Sequence, residues 1–429
     1  MGGTLTAKEL IGYTRTVYQE SGSLGRAALF AVTAVKRKLA HPERALKRLP
    51  VYAKKVALQV STLNAAETDE VVAAIGIGGG IGDYAVIARF MRDLVSHTEG
   101  FKFDIYAGVP DLARWLFGGI RGYRRVYQDS LFDRTAAAYD LSLLIDHAAL
   151  IDEERTNWSK LSGYPKLYTV CQNILNYRPK VAPFVASPLI LADALARHAV
   201  FENASRRDFL HKIAGIDYSG DMLNIETDEA GRARFGLLSK KYITVNNGFG
   251  TDVILRAGVR PTKCYPHFGR VVADLKGFFP GLLAVQIGSS MSGAVAEVDL
   301  NLVGRTSLRE AADILSHSAL HLDGDGGLVH LARCFGVNSC VVFGPTPIQY
   351  VGYPDNLNIA PAFCGSCWWV TRTWMERCPR GFATARCMTD QDPDAVAEAI
   401  RVFLLSASGE ASKSMRLSGK QPEGGSTRF

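Results

Sequence analysis

Three stretches of the 429-residue chain hold residue types that can do chemistry. The first is AAIGIGGGIGDYAV, residues 73–86, an apolar run that breaks into glycines and reaches Asp83. Such a loop lets a phosphate or hydroxyl approach backbone N–H groups at a helix start. Gly80 and Gly82 are the candidate loop positions. Asp83 falls in the first helical turn, where a carboxylate is electrostatically favoured. Its plain use is a helix cap. Facing a cleft, it could instead take the proton of an attacking hydroxyl. The second stretch is LHLDGDGGLVHLARCFGV, residues 320–337, read as strand, turn and helix. Asp325, Gly326 and Gly327 lie at the turn, so the helix N–H groups form a natural anion site. His330 sits one turn in, a place more common for packing than for catalysis. FGPT, residues 343–346, closes the next strand with Thr346, and Lys263 upstream offers a cation for a phosphate. The third is CGSCWWVTRTWMERCPRGFATARC, residues 364–387, with Cys364, Cys367, Cys378 and Cys387 spaced C-x2-C-x10-C-x8-C.

Four thiolates with a C-x2-C pair match a tetrahedral, structural metal site in composition, and thiolate suits zinc or iron. Buried free thiols and a redox C-x-x-C remain open, while two disulfides are disfavoured in a reducing compartment. The glycine loop is a poor dinucleotide fingerprint. Gly76-x-Gly78 fits, but Ile81 stands where the third glycine belongs. A nicotinamide-dependent oxidoreductase is therefore a weak alternative. A non-catalytic, metal-stabilised binding protein is another.

The elements that must position these residues alternate. Residues 71–77, 103–109 and 140–145 read as strands, with a helix after the glycine loop and another from Asp111. Residues 150–235 are less legible. A second series follows: strands at 241–246, 282–287, 319–322 and 340–343, and helices at 267–279, 307–318, 328–336 and 392–405. Ser307-x-x-Glu310 is a capping box, and Asp392-Pro393 opens the last helix. Alternation of this kind implies parallel sheets covered by helices, with ligands at the strands' carboxyl ends. The fold class expected is α/β, two doubly wound domains facing a cleft. The expected divisions are 1–66, a helical basic extension; 67–235; 236–408, which includes the cysteine insertion 364–387; and 409–429, a disordered Gly/Ser-rich tail.

Composition sets the class. The chain is 47% hydrophobic and 21% charged, with net charge +7, as expected of a globular protein with an ample core. Residues 1–60 hold eleven Lys or Arg against three Glu, so the remainder is near neutral. A basic leader attracts anionic surfaces, membrane lipid or nucleic acid, here expected to be an inner-membrane surface; its plain use is a solvated helical face or an arm that assembles subunits into a homo-oligomer. No nucleic-acid role is expected. MGGTLTAKEL lacks the apolar core of a secretion signal, so the expected compartment is the cytoplasm.

The chain resembles the glycosyltransferase family 9 heptosyltransferases, bacterial enzymes that use ADP-heptose. The family's G-[DE]-x-[IV] loop is similar to Gly82-Asp83-Tyr84-Ala85-Val86. Its D-[ST]-G-x-x-H-L-A element is similar to residues 325–332, with Gly326 in place of Ser or Thr. Its F-G-P-T element stands at 343–346, and its K-x-W-P element is Lys263-Cys264-Tyr265-Pro266, with Tyr for Trp. The resemblance spans about residues 70–405. It implies a GT-B fold with two Rossmann-like domains, inversion at the anomeric carbon and no catalytic metal. Asp83 would be the general base. Lys263, Asp325, Gly326, Gly327, His330 and Thr346 would bind an ADP-heptose-type donor, and Gly80 and Gly82 would lie on the acceptor side. The acceptor would be a lipopolysaccharide precursor, lipid-linked glycan or protein hydroxyl. A branch that glycosylates autotransporter proteins has a similar four-cysteine insertion that binds iron.

Overall fold

The computed structural model describes residues 70–185, 188–248 and 261–407. The expected basic extension 1–66 and the tail 409–429 lie outside the described residues. Two parallel sheets succeed one another along the chain. The first is built from β1 (Val72–Ile77), β2 (Lys102–Ala107), β3 (Tyr123–Gln128), β4 (Leu141–Ile145) and β5 (Ala149–Ile151), in spatial order β3-β2-β1-β4-β5. Only β5 in it runs antiparallel. The second contains β6 (Tyr242–Val245), β7 (Leu283–Gln286), β8 (Leu300–Asn301), β9 (His321–Asp323), β10 (Ser339–Val342) and β11 (Leu357–Ile359). Its order is β11-β10-β9-β6-β7-β8, all parallel. The α/β class with parallel sheets holds.

The main helices are α1 (Ile81–His97), α2 (Pro110–Phe117), α3 (Pro165–Val185), α4 (Pro188–Phe201), α5 (Phe209–Ala214), α6 (Phe268–Phe278), α7 (Leu308–Ser316), α8 (Gly327–Cys334) and α9 (Pro393–Ala407). Shorter helical turns join them. β1 is buried along its whole length, as a central parallel strand with helices on both faces must be. Its Val, Ala and Ile side chains pack against Val86, Phe90 and Leu94 of α1 in the larger core. In the second sheet, Val245, Leu322 and Val342 pack with Phe268, Val272 and Leu275 of α6 and Ile400 of α9. The Ser307–Glu310 capping box opens α7, with Glu310 N–H to Ser307 Oγ at 3.2 Å and Ser307 N–H to Glu310 Oε2 at 2.7 Å.

The topology itself nominates the site. In the first sheet the chain leaves β1 toward β2 and β3, then returns to the other side at β4. The second sheet departs from β6 toward β7 and β8, then returns at β9. At such reversals the flanking loops separate and leave a crevice at the strands' carboxyl ends. The loops at these reversals are 78–80 after β1, 146–148 after β4, 246–248 after β6, and 324–326 after β9.

Candidate functional site

Asp83 is the third residue of α1, and its Oδ2 accepts the N–H of Gly80 at 3.0 Å. Gly80 has no side chain to answer, so only half of a capping box exists. Gly79 precedes it at φ 87°, a conformation that suits glycine. The other oxygen, Oδ1, accepts from Arg206 Nη2 at 2.7 Å. Arg206 is 5% exposed and Asp83 28%, so the pair is only partly open to water. Burial pushes the Asp83 carboxyl up, but Arg206, His147 and the Gly80 amide together hold it well below the usual carboxylate range. Asp83 is ionised and pinned. Arg206 is held in turn: its N–H reaches Tyr350 O at 2.6 Å, and Nη1 reaches Asp146 O at 3.2 Å.

Donor atoms of Asp83, Asp146 and His147 all lie within 4.8 Å of one another. The Arg206 guanidinium already supplies positive charge there, so the cluster is a salt-bridge corner rather than a cation cradle. Burial, followed by the charge of Arg206, lowers the His147 pKa and keeps the ring neutral.

On the second sheet, Lys263 Nζ pairs with Asp325 Oδ2 at 2.8 Å. Burial opposes ionisation of Asp325, but Lys263 outweighs it and lowers the pKa. Thr346 is 2% exposed and its Oγ1 has no hydrogen-bond partner of good geometry, although it lies close enough to Asp325 to favour the carboxylate. Gly326 is the N-cap of α8, and no side chain caps that helix. A Cβ at 326 would stand 2.9 Å from Asp323 Oδ2, which gives a physical reason for glycine there. Asp323 is wholly buried, with Asn246 Nδ2 donating to both oxygens at 3.0 Å. Burial raises its pKa.

The two halves meet at their glycines. A Cβ on Gly82 would lie 2.6 Å from His330 Cδ2 and 3.4 Å from the Cα of Gly327, and one on Gly327 would overlap Ile81 Cγ2. The first turns of α1 and α8 therefore touch, and Asp83 and the Asp325 loop share one crevice. His330 is buried behind this contact. Tyr353 Oη accepts from Arg89 Nη1 at 2.6 Å and pairs with His330 Nδ1 at 2.7 Å, where its hydroxyl can donate. With Tyr353 as that donor, the proton of the neutral ring sits on Nε2. Burial lowers the His330 pKa to about 4, so the ring is neutral near pH 7.

All eight cysteines are free thiols. Burial, then the neighbouring thiols, push Cys367 up to about 11 and Cys387 up to about 12, so the four of the insertion share one neighbourhood. The insertion packs on the site. Thr262 donates its hydroxyl to Trp374 O at 2.7 Å, Lys263 Nζ lies 5.9 Å from the Trp374 ring centroid, and Ser366 N–H reaches Gly344 O at 3.2 Å. A Cβ on Gly344 would collide with Met388 beside Cys387.

Residues 285–361 match the model of glycosyltransferase family 9 (heptosyltransferase). The match is confined to this segment. It runs from β7 to β11 and takes in Asp325, Gly326, Gly327, His330 and Thr346. No curated protein matches the chain. Among solved structures, the iron-containing dodecameric glycosyltransferase TibC from enterotoxigenic E. coli is 14% identical, with TM-score 0.52, covering 79% of this chain and 77% of its own. TibC in complex with ADP-D-beta-D-heptose gives the same values. The E. coli ADP-heptose lps heptosyltransferase II is 14% identical, with TM-score 0.46, over 79% of this chain and 99% of its own. The TibC likeness shows the fold, two Rossmann-like halves of GT-B type. The family 9 match lies within the second of these halves.

Every sequence-nominated residue of the loops, Gly80, Gly82, Asp83, Lys263, Asp325, Gly326, Gly327, His330 and Thr346, falls along this crevice or its wall. Arg206, His147, Tyr353 and Arg89 went unseen. Arg206 and His147 come from regions with no motif, and Arg89 is an arginine on the buried face of a helix.

Proposed function

We propose that this glycosyltransferase moves a heptose-type sugar from an ADP-linked donor to an acceptor hydroxyl, with inversion. The observation that carries this reading is the meeting of Asp83 with the α8 N-terminus through Gly82 and Gly327. Asp83 takes the proton of the acceptor hydroxyl while that oxygen bonds to the anomeric carbon. The bond from that carbon to the diphosphate breaks, and its electron pair leaves with the phosphate. Lys263, the N–H groups at Gly326 and Gly327, and the Thr346 hydroxyl meet the developing charge. Each strong donor so placed typically lowers a barrier by about 3–4 kcal/mol. Asp325 fixes Lys263, and His330 offers Nε2–H as a neutral donor. No catalytic metal takes part.

By composition, the cysteine set suits a structural iron or zinc site. Burial and the neighbouring thiols raise Cys367 and Cys387, and a bound cation would favour their thiolates. Bound metal would brace the wall against Lys263 and Gly344. TibC is iron-containing and dodecameric, which supports iron and a homo-oligomer here. We place the enzyme in the cytoplasm, with residues 1–60 touching the inner-membrane surface and a lipopolysaccharide precursor or protein hydroxyl as acceptor. No described helix is long and apolar enough to cross a membrane.

The test is a panel of nucleotide sugars and NAD, read by thermal melting and by nucleotide release. ADP and ADP-sugars should raise the melting temperature. Stabilisation by NAD alone would overturn the proposal.

A further inference from the structure

Beside Asp83, the first sheet carries a cavity of about 310 Å³. It lies at the carboxyl ends of β1 and β4, on the acceptor side of the crevice under the proposed function. Its walls are apolar: Tyr106, Phe132, Leu144, Leu150, Phe184 and Leu195. Gly76 and Gly78 form its floor. A Cβ on Gly76 would meet Leu144 at 2.7 Å and Phe132 at 3.2 Å, so glycine keeps this space. Asp129, Asp146 and His147 also line it, and no described lysine or arginine does. Asp146 and His147 place donor atoms within 4.8 Å of those of Asp83. A hydroxyl hydrogen-bonded to Asp83 therefore stands at this cavity's edge.

We infer that the acceptor carries an uncharged aromatic or branched aliphatic group next to its reacting hydroxyl, and that this group fills the cavity. Size and charge both select it. A dry site lined by leucine and phenylalanine that holds one benzene ring measures about 150 Å³, so 310 Å³ accommodates a substituted ring or a comparable aliphatic group. An acceptor bearing a carboxylate or phosphate at that point would bring a third negative charge beside Asp129 and Asp146, with Arg206 already engaged by Asp83. Its desolvation would go uncompensated. This assignment rests on Asp83 being the acceptor-side base.

The test uses three small glucosides with the full-length protein saturated with ADP: 4-nitrophenyl, methyl and 4-carboxyphenyl. Titration should give at least ten-fold tighter binding of the nitrophenyl compound than of the other two. Leu144→Arg should remove that advantage. Leu144 is 48% exposed, so the variant is expected to fold. Its ADP-induced melting shift should match the parent protein's. Transferred nuclear Overhauser effects from the nitrophenyl ring to the Leu144 methyls give the same answer without any mutation. Equal or tighter binding of the carboxyphenyl compound, or no contact with Leu144, overturns the inference. Loss of the ADP-induced shift in the unmodified protein would instead fall on the proposed function, and the same glucoside titration without ADP then reads the cavity.

Discussion

Replacing Arg206 with leucine removes the guanidinium that lies 2.7 Å from Asp83 Oδ1 and leaves a shorter, apolar side chain. An adjacent arginine typically lowers a carboxyl by roughly 1–3 pH units. The pair is screened on one side, since Asp83 is 28% exposed, so a shift near the middle of that range is expected. Burial is then opposed only by His147 and the Gly80 amide. The Asp83 midpoint should rise by about 2 units. Carboxyl 13C NMR, titrated from about pH 7 to 2 and assigned with Asp83→Asn, reads it directly. The sign also fixes a stability pattern. A carboxyl depressed by folding stabilises the native state above its ordinary pKa and loses that contribution as pH falls. The gap in melting temperature between parent and Arg206→Leu should therefore be widest near neutrality and close below about pH 4. An unchanged Asp83 midpoint would show that Arg206 does not set its basicity and would refute the reasoning.

Asp83→Asn should fold, since the amide oxygen can still accept from Gly80, and lower turnover at least ~100-fold in a nucleotide-release assay. Gly327→Ala should cost about 1–3 kcal/mol in denaturant unfolding by driving a methyl into Ile81, and adding Ile81→Ala should restore part of it. Tyr353→Phe strips the hydroxyl between Arg89 and His330 and should cost about 1–3 kcal/mol by leaving buried polar groups unpaired. Because His330 is held neutral down to about pH 4, the native state is favoured above the ordinary histidine pKa and loses stability as pH falls from about 6.5 toward 4; His330→Gln should flatten that slope in pH-dependent melting. Elemental analysis should find one metal per chain, and chelation should lower both the melting temperature and ADP affinity, because Trp374 of the insertion packs over Lys263.

The legible parts of the chain were those where local pattern and tertiary role agree. The runs around β1, β6, β7 and β10 are apolar because both sheet faces are covered, and the Ser307–Glu310 box is local hydrogen bonding visible in four letters. β3 was missed because YRRVYQ is a half-buried edge strand with two arginines, Arg125 facing water and Arg124 pairing with buried Asp104, while β5, β8 and β11 are too short to show a period. α3 was obscured by Pro179 and Pro183 inside it. Asp83, Lys263 and Asp325 could be nominated because glycines and strand ends frame them. Their ionic partners could not. Arg206 lies 123 positions from Asp83, and only the packing of distant segments makes the pair. The sequence also offered Lys263 as an idle cation, whereas it is engaged by Asp325, so a diphosphate must compete for it.

The glycine contact between α1 and α8 brings two helix N-termini to one point. Each carries roughly half a positive charge from its unpaired amides, so side by side they repel. Packing of Ile81, Gly82, Gly327 and His330 holds them against that repulsion. A dianion lodged there is attracted by both ends, and its arrival relaxes a tension that the apolar contact alone had balanced. Since backbone dipoles cannot be titrated, this attraction persists across the pH range. It weakens only with ionic strength as the Debye length shrinks below about 10 Å. Nucleotide affinity should then be more sensitive to salt than to pH.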